Sequence, residues 1–424
     1  MAALPAADTQ IYDSGRIALT GILSGLRVVE GSAFIAAPLG GMTLAQLGAE
    51  VVRFDPIGGG IDYGRWPLSS AGHSLFWSGM NKGKKSVVID IRRREGQEIA
   101  AAIACAPGED GGLFITNFPA RGWLAYEQLK LQRADLIYVN VVGDRHGGSE
   151  LDYTVNPRVG FPLMTGHPDD LRPVNHLMPA WDHMTGQMAA VGMLAAERHR
   201  RKTGTGQYVR IALLDVALAT LGHMGFIAEV EACNRERPRY GNDLFGAFGR
   251  DFVTRDGVRL MIIALSTRQW LNLRKATGLG EQLDAIGKQI GLDLSQEGNR
   301  FHARDGIASL LAPWISARDY DEIADLFQRT DVCFGPYQSV RELLAGDREA
   351  SLDNPLFVER DQPGIGRYRM PGSPLFFSDS AHLDATPAPR LGEHTDEILS
   401  SFLGLTSAEI GRLHDKGIVA GATE

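Results

Sequence analysis

The chain has 424 residues and a net charge of −8. At about 100–200 residues per domain, that length predicts two or three domains, with cores large enough to need no disulfide staples. Hydrophobic residues at 44% and charged residues at 22% describe a globular protein rather than a disordered one, and the acidic balance argues against a nucleic-acid surface.

The three cysteines, Cys105, Cys233 and Cys333, are far apart and form no CxxC pair. Reduced thiols and a cytoplasmic location are expected. No apolar run reaches the roughly 18 residues of a membrane span. Residues 1–20 lack the charged start and apolar middle of a signal peptide and read as a loose extension.

In chain order, residues 26–30 predict a strand, 32–49 a helix of small residues with Pro38 near its start, and 51–54 a second strand. This β-α-β opening points to a parallel sheet. The glycine run at 58–60 follows the second strand. A dinucleotide fingerprint belongs in the first strand-to-helix turn, and G-x-G-x-x-G is absent there, which argues against a nicotinamide site. Residues 81–86 (NKGKKS) form a basic turn, read either as a phosphate grip or as a solvated turn. A strand at 87–91, a helix at 94–105 and strands at 113–117 and 136–142 continue the alternation. Asn117, Phe118 and Arg121 then lie where the fourth strand ends, and binding loops of open α/β sheets follow strand C-termini.

Residues 144–181 are rich in loop signals. A long helix follows, with Asp182 at the N-cap position and Met184, Met188, Val191 and Ala195 at helical spacing. The basic cluster at 198–202 suits the negative end of its dipole, and Thr203-Gly204-Thr205-Gly206 stops it. From about 230 the texture changes to a hairpin around Asp256-Gly257 and then helices. The expected organisation is a large domain over 1–229, a small α+β domain over 230–335 and a return to the large domain over 336–424.

Asp182 has two readings. It is a structural cap, or it is a nucleophile whose carboxylate stays ionised at the positive end of a helix, where N–H groups stabilise a developing oxyanion. The local pattern leaves both open. His176 and His183 are seven apart with no cysteine nearby, which is not a metal spacing, so no metal is expected.

Taken together, LSGLRVVE at 23–30, LAQLGAEVVRFDPIGGGIDYGR at 44–65, NKGKKSVVID at 81–90, TNF at 116–118, RRKTGTGQYVRIALLDVAL at 200–218, YGN at 240–242 and PRLGEHTDEIL at 389–399 resemble the family III (CaiB/BaiF-type) CoA-transferases, from about 23 to 403. The resemblance implies a Rossmann-like large domain built from both chain ends, a small α+β domain, and two chains interlocked as a ring-like homodimer. It implies that Asp182 is the nucleophile, passing through an aspartyl anhydride and an aspartyl-CoA thioester. Lys84, Asn117, Phe118 and Arg121 match positions that contact CoA. No cofactor beyond the CoA moiety of the substrate is implied, nor a membrane or nucleic-acid partner. Racemase relatives carry Gly-His-Asp near residue 151, and here Leu151 stands at the histidine position, which argues against proton shuttling.

Further segments, including NHLMPAWDHMTGQM at 175–188, resemble family members that move CoA between the C1 and C4 carboxyls of mesaconyl-CoA within one molecule. The alternatives are intermolecular transfer from succinyl-CoA to mesaconate or a related dicarboxylate, and a non-catalytic CoA-binding protein in which Asp182 only caps. The unbound carboxylate needs a cationic or donor partner, and the candidates are Arg65, Arg145, Arg158, Arg172, Tyr153 and His176. Phe245 and Phe248, on the loop after Gly241-Asn242, are read either as a seal that retains the freed dicarboxylate or as ordinary packing.

Overall fold

The computed structural model describes residues 21–422, so the expected extension over 1–20 lies outside the described residues. The chain opens with β1 (Arg27–Gly31), α1 (Ala36–Gln46), β2 (Glu50–Asp55), α2 (Leu75–Met80), β3 (Lys85–Ile89), α3 (Arg94–Ala104), β4 (Leu113–Thr116), α4 (Tyr126–Gln132) and β5 (Ile137–Val142). Then come α5 (Asp152–Arg158), α6 (Phe161–Met164), α7 (Ala180–Thr203), β6 (Tyr208–Ala212), α8 (Leu213–His223) and α9 (Phe226–Cys233). The middle holds β7 (Phe248–Val253), β8 (Arg259–Ala264), α10 (Thr267–Thr277), α11 (Gly280–Ile290), α12 (Glu297–His302), α13 (Arg304–Ser316), α14 (Tyr320–Arg329) and β9 (Cys333–Pro336). The chain closes with α15 (Val340–Gly346), β10 (Phe357–Gln362), β11 (Gly366–Pro371), α16 (Thr395–Leu403), α17 (Ser407–Asp415) and β12 (Val419–Ala420).

Two compact units result. Among the described residues the first comprises 21–149, 182–216 and 352–422, and the second comprises 150–181 and 217–351. Residues 150–181, 217–229 and 336–351, assigned from sequence to the large domain, therefore fall in the second unit. β9, at the end of the expected small domain, pairs antiparallel with β8 as the third strand of the small sheet.

The first unit is an open α/β sheet in the order β12-β3-β2-β1-β4-β5-β6. Strands β1 to β6 are parallel, and only β12 runs against its neighbour β3. Both chain ends thus build one sheet. Successive residues of a strand point to opposite faces. Accordingly Val29, Val52, Phe54 and Phe114 pack with α3, α16 and α17 on one face. Val28, Val51, Ile115 and Val139 pack with α1 and α7 on the other. Strand order reverses between β1 and β4, and ligands of such sheets bind outside the strand C-termini at that switch point.

The second unit packs helices against the three-stranded sheet β7-β8-β9. The hairpin expected at Asp256-Gly257 forms, with Gly257 at φ 85° and the Thr254 N–H donating to Val258 O at 2.9 Å. Phe248 is fully buried in this unit's core beside Trp270, Ile307 and Phe327. It packs rather than seals. Phe245, on the same loop, is exposed and ring-stacked on Tyr240, and Phe301 meets it edge-on.

Candidate active site

α1 packs tightly against α7 because two glycines face each other. A Cβ at Gly40 would lie 3.1 Å from Gly186 O, and one at Gly186 would lie 2.8 Å from Ala36 O. The contact advances from Ala36 beside Gly186 to Gly40 beside Ala189, so the helices run in the same sense. The turn ahead of α1, residues 32–35, therefore lies toward the Asp182 end of α7.

Asp182 is not the N-cap expected from sequence. The helix starts at Ala180, which puts Asp182 in its first turn. The reason lies in α5. The buried Asp152 carboxylate accepts the Trp181 N–H at 2.7 Å and takes the capping role from a distance. Asn156, one turn further along α5, accepts the Trp181 indole N–H at 3.2 Å. An acidic residue in a first turn faces the positive end of the dipole and nearby amide donors, which suits a carboxylate that must accept and release negative charge.

The turn at 32–35 is clamped. The Asn117 amide spans the Ala33 backbone, accepting its N–H at 2.9 Å and donating to its carbonyl at 2.7 Å. On the other side Asp62 Oδ2 accepts the Phe34 N–H at 2.9 Å. Behind the turn lies a buried charge cluster. Arg53 donates to both oxygens of Asp55 at 2.8 and 2.9 Å and to Asp62 at 3.1 Å. Burial alone pulls its pKa down, but Asp55, Asp62 and Glu30 more than offset that and raise it. Gly60 makes room for the two aspartates, since a Cβ there would lie 2.9 Å from Asp55 and 3.0 Å from Asp62. The glycine run thus serves carboxylates, not a dinucleotide.

The basic turn at 81–86 is neither a solvated face nor an open phosphate grip. Lys84 is fully buried, pairs with Glu30 at 2.8 Å, and donates to Pro38 O and Asn81 Oδ1, each at 2.8 Å. Burial pushes its ammonium down to about 8, with Glu30 opposing and Arg53 adding to the effect. Lys82 donates to Pro371 O, and Lys85 pairs with Glu50 and Glu397. Burial also brings Lys82 down to about 8. The three lysines tie the turn to the rest of the unit.

Other residues singled out from sequence are spread more widely. Phe118 is half-buried against the core beneath β4, and Arg121 is exposed beyond it. Arg65 is exposed, its guanidinium 5.5 Å from the Phe34 ring and 5.1 Å from the Phe76 ring. Arg145 is exposed beside His146. In the second unit Tyr153 is exposed, Arg158 pairs with Glu150, Arg172 pairs with the half-buried loop residue Asp170, and His176 Nε2 lies 3.1 Å from Asp152. Arg65 is thus the residue among the candidates for the free carboxylate that stands beside the clamped turn. Glu30, Arg53 and Asp62 were missed from sequence, although two acids and a base on consecutive strand ends and a glycine turn were there to be read.

The family model for CoA-transferase family III matches residues 23–395. The chain belongs to CoA-transferase family III. It is 61% identical over 404 residues to 2-methylfumaryl-CoA isomerase of Chloroflexus aurantiacus, covering 95% of this chain and 99% of that protein. It is 28% identical over 400 residues to succinyl-CoA:mesaconate CoA-transferase of Haloarcula hispanica, covering 89% and 96%. In fold it resembles a crystal structure of a CaiB/BaiF family protein from Brucella suis, with a TM-score of 0.72 and 24% identity over 90% of this chain and 100% of that one. Family III membership makes the protein a CoA-transferase.

Proposed function

We propose that this protein moves CoA between the C1 and C4 carboxyls of mesaconyl-CoA, with Asp182 as the nucleophile. The observation that carries the substrate is the 61% identity to 2-methylfumaryl-CoA isomerase along almost the whole of both chains. Relatives named for transfer between different acids stand much lower, at 25–28%.

Each step exchanges one acyl bond for another. An Asp182 oxygen adds to the C1 thioester carbon and CoA leaves as the thiolate, giving a mixed anhydride. The thiolate adds to the Asp182 acyl carbon, giving an aspartyl-CoA thioester and free mesaconate. The C4 carboxylate then adds to that acyl carbon and expels the thiolate. The thiolate returns to the C4 carbon, which releases Asp182 and the isomeric thioester. Nothing is oxidised and no phosphate is consumed. Covalent catalysis of this kind splits one difficult displacement into easier ones.

Asn117, Phe118 and Arg121 are the proposed CoA contacts on the β4 exit, and Arg65 is the proposed partner of the unbound carboxylate, since an arginine fork matches a carboxylate bidentately. A homodimer is proposed, supported by the exposed Met184, Met188 and Val191 along α7, because contiguous apolar surface marks an interface. A cytoplasmic location is proposed. Among the described residues no single helix is long and apolar enough to cross a membrane.

Incubating mesaconyl-C1-CoA with enzyme and labelled free mesaconate tests the intramolecular reading. Conversion to the C4 thioester with label excluded is expected. Label entering the thioester pool at the rate of conversion would replace this reading with intermolecular transfer.

A further inference from the structure

The residue at the head of the turn before α1 holds an unusual backbone conformation. Phe34 sits at φ 68°, a left-handed value that a bulky non-glycine residue seldom adopts unless its surroundings enforce it. The enforcement is visible. Asp62 Oδ2 accepts the Phe34 N–H at 2.9 Å, and the Asp62 carboxylate is itself fixed by Arg53 at 3.1 Å. Asp62 and Arg53 are each about 1% exposed, so neither competes with water for its partner. Arg53 is locked in turn by the two-pronged contact to Asp55 and by Asn81. Asn117 holds Ala33 from the β4 side. The turn is thereby gripped at two adjacent residues by side chains from two different loops. It leads straight into α1, whose Ala36 carbonyl is pressed on Gly186, one helical turn beyond Asp182.

We infer that Asp62 is a positioning residue for acyl transfer: by holding the Phe34 N–H it sets the turn at 32–35 against the first turn of α7, and so sets the wall beside which Asp182 meets the thioester. It touches no reacting atom. Its effect is geometric, and it falls on the step in which carboxylate and acyl carbon must align, where a displacement of about 1 Å costs on the order of 100-fold in rate. The inference rests on the reading of Asp182 as the nucleophile.

The test compares wild type, Asp62→Ala, Asp62→Asn and Asp182→Ala in conversion of mesaconyl-C1-CoA, with rates divided by the folded fraction from a thermal melt on the same sample. Asn keeps an oxygen acceptor for the Phe34 N–H. Asp62→Ala is expected to lower kcat about 10- to 100-fold with KM within about threefold, and Asp62→Asn to recover most of that loss. A purely structural role would reduce the folded fraction and leave kcat per folded enzyme unchanged. Asp62→Ala matching wild type per folded enzyme, or losing only KM, while Asp182→Ala is dead, would overturn the positioning role alone. Turnover surviving in Asp182→Ala would overturn the nucleophile reading and this inference with it.

Discussion

Replacing Lys84 by Met separates a buried structural lysine from a ligand-gripping one. Methionine fills similar space but carries neither charge nor donors. Burial pulls the ammonium from 10.5 down to about 8, so at pH 7 the buried charge itself works against folding and losing it does not destabilise the variant. The loss is in partners. Glu30, Pro38 O and Asn81 Oδ1 each lose a buried donor, and an unsatisfied buried acceptor costs about 1 kcal/mol or more. The three stranded acceptors give about 3–5 kcal/mol, the range measured when one partner of a buried pair is removed. For a unit of this size that corresponds to a fall in Tm on the order of 10 °C. Differential scanning calorimetry supplies the Tm, and steady-state kinetics with mesaconyl-CoA supplies KM. The expected pattern is a large fall in Tm with KM within about twofold below the transition. A Tm within 2 °C of wild type together with a KM raised about tenfold would refute the reasoning and return Lys84 to the CoA phosphates.

Four further outcomes follow from the geometry. The Lys84 pKa lies below its unfolded value of 10.5, so between about 8 and 10.5 the unfolded state binds the extra proton and this group's contribution to stability rises with pH. Wild type should therefore gain on Lys84→Met across that window in urea titrations, and a constant gap would contradict the burial. Gly186→Ala would push a Cβ against the Ala36 carbonyl, and a destabilisation of about 1–3 kcal/mol is expected, with unchanged urea midpoints as the contrary result. Burial pushes the Cys105 thiol up to about 11, so iodoacetamide at pH 8 should label Cys105 far more slowly than an exposed model thiol, as read by peptide mass spectrometry. Phe245→Gly should admit labelled external mesaconate into the thioester pool if that ring retains the freed acid, whereas Phe248→Gly should chiefly cost about 3–5 kcal/mol of stability.

Strand and helix order in the first 142 residues was legible because β-branched runs alternate with helical periods and small residues. The reversal between β1 and β4 was not, since strand order is set by pairing across the sheet and leaves no mark on a single strand. The fourth-strand exit with Asn117 was found as a loop position, but its grip on Ala33 needed coordinates. Asp182 was expected at the N-cap and lies instead in the first turn of the helix. A cap supplied from Asp152, 29 residues before the Trp181 N–H it accepts, cannot be seen by a local rule that looks one residue before the first turn. The basic turn misled in a similar way: three lysines in a row of polar residues look solvated, and only distant partners, Glu30 for Lys84 and the Pro371 carbonyl for Lys82, turn two of them inward. The domain boundary failed for a topological reason, because residues 150–181 leave the first unit and α7 re-enters it.

The most direct measurement is chromatography and mass spectrometry of mesaconyl-C1-CoA incubated with wild type and with Asp182→Ala, with no other acid added. The account predicts conversion to the C4 thioester by wild type alone, and a hydroxylamine-trappable mass on the peptide containing Asp182 during turnover. Conversion by Asp182→Ala, or none by wild type until succinate is supplied, would contradict it.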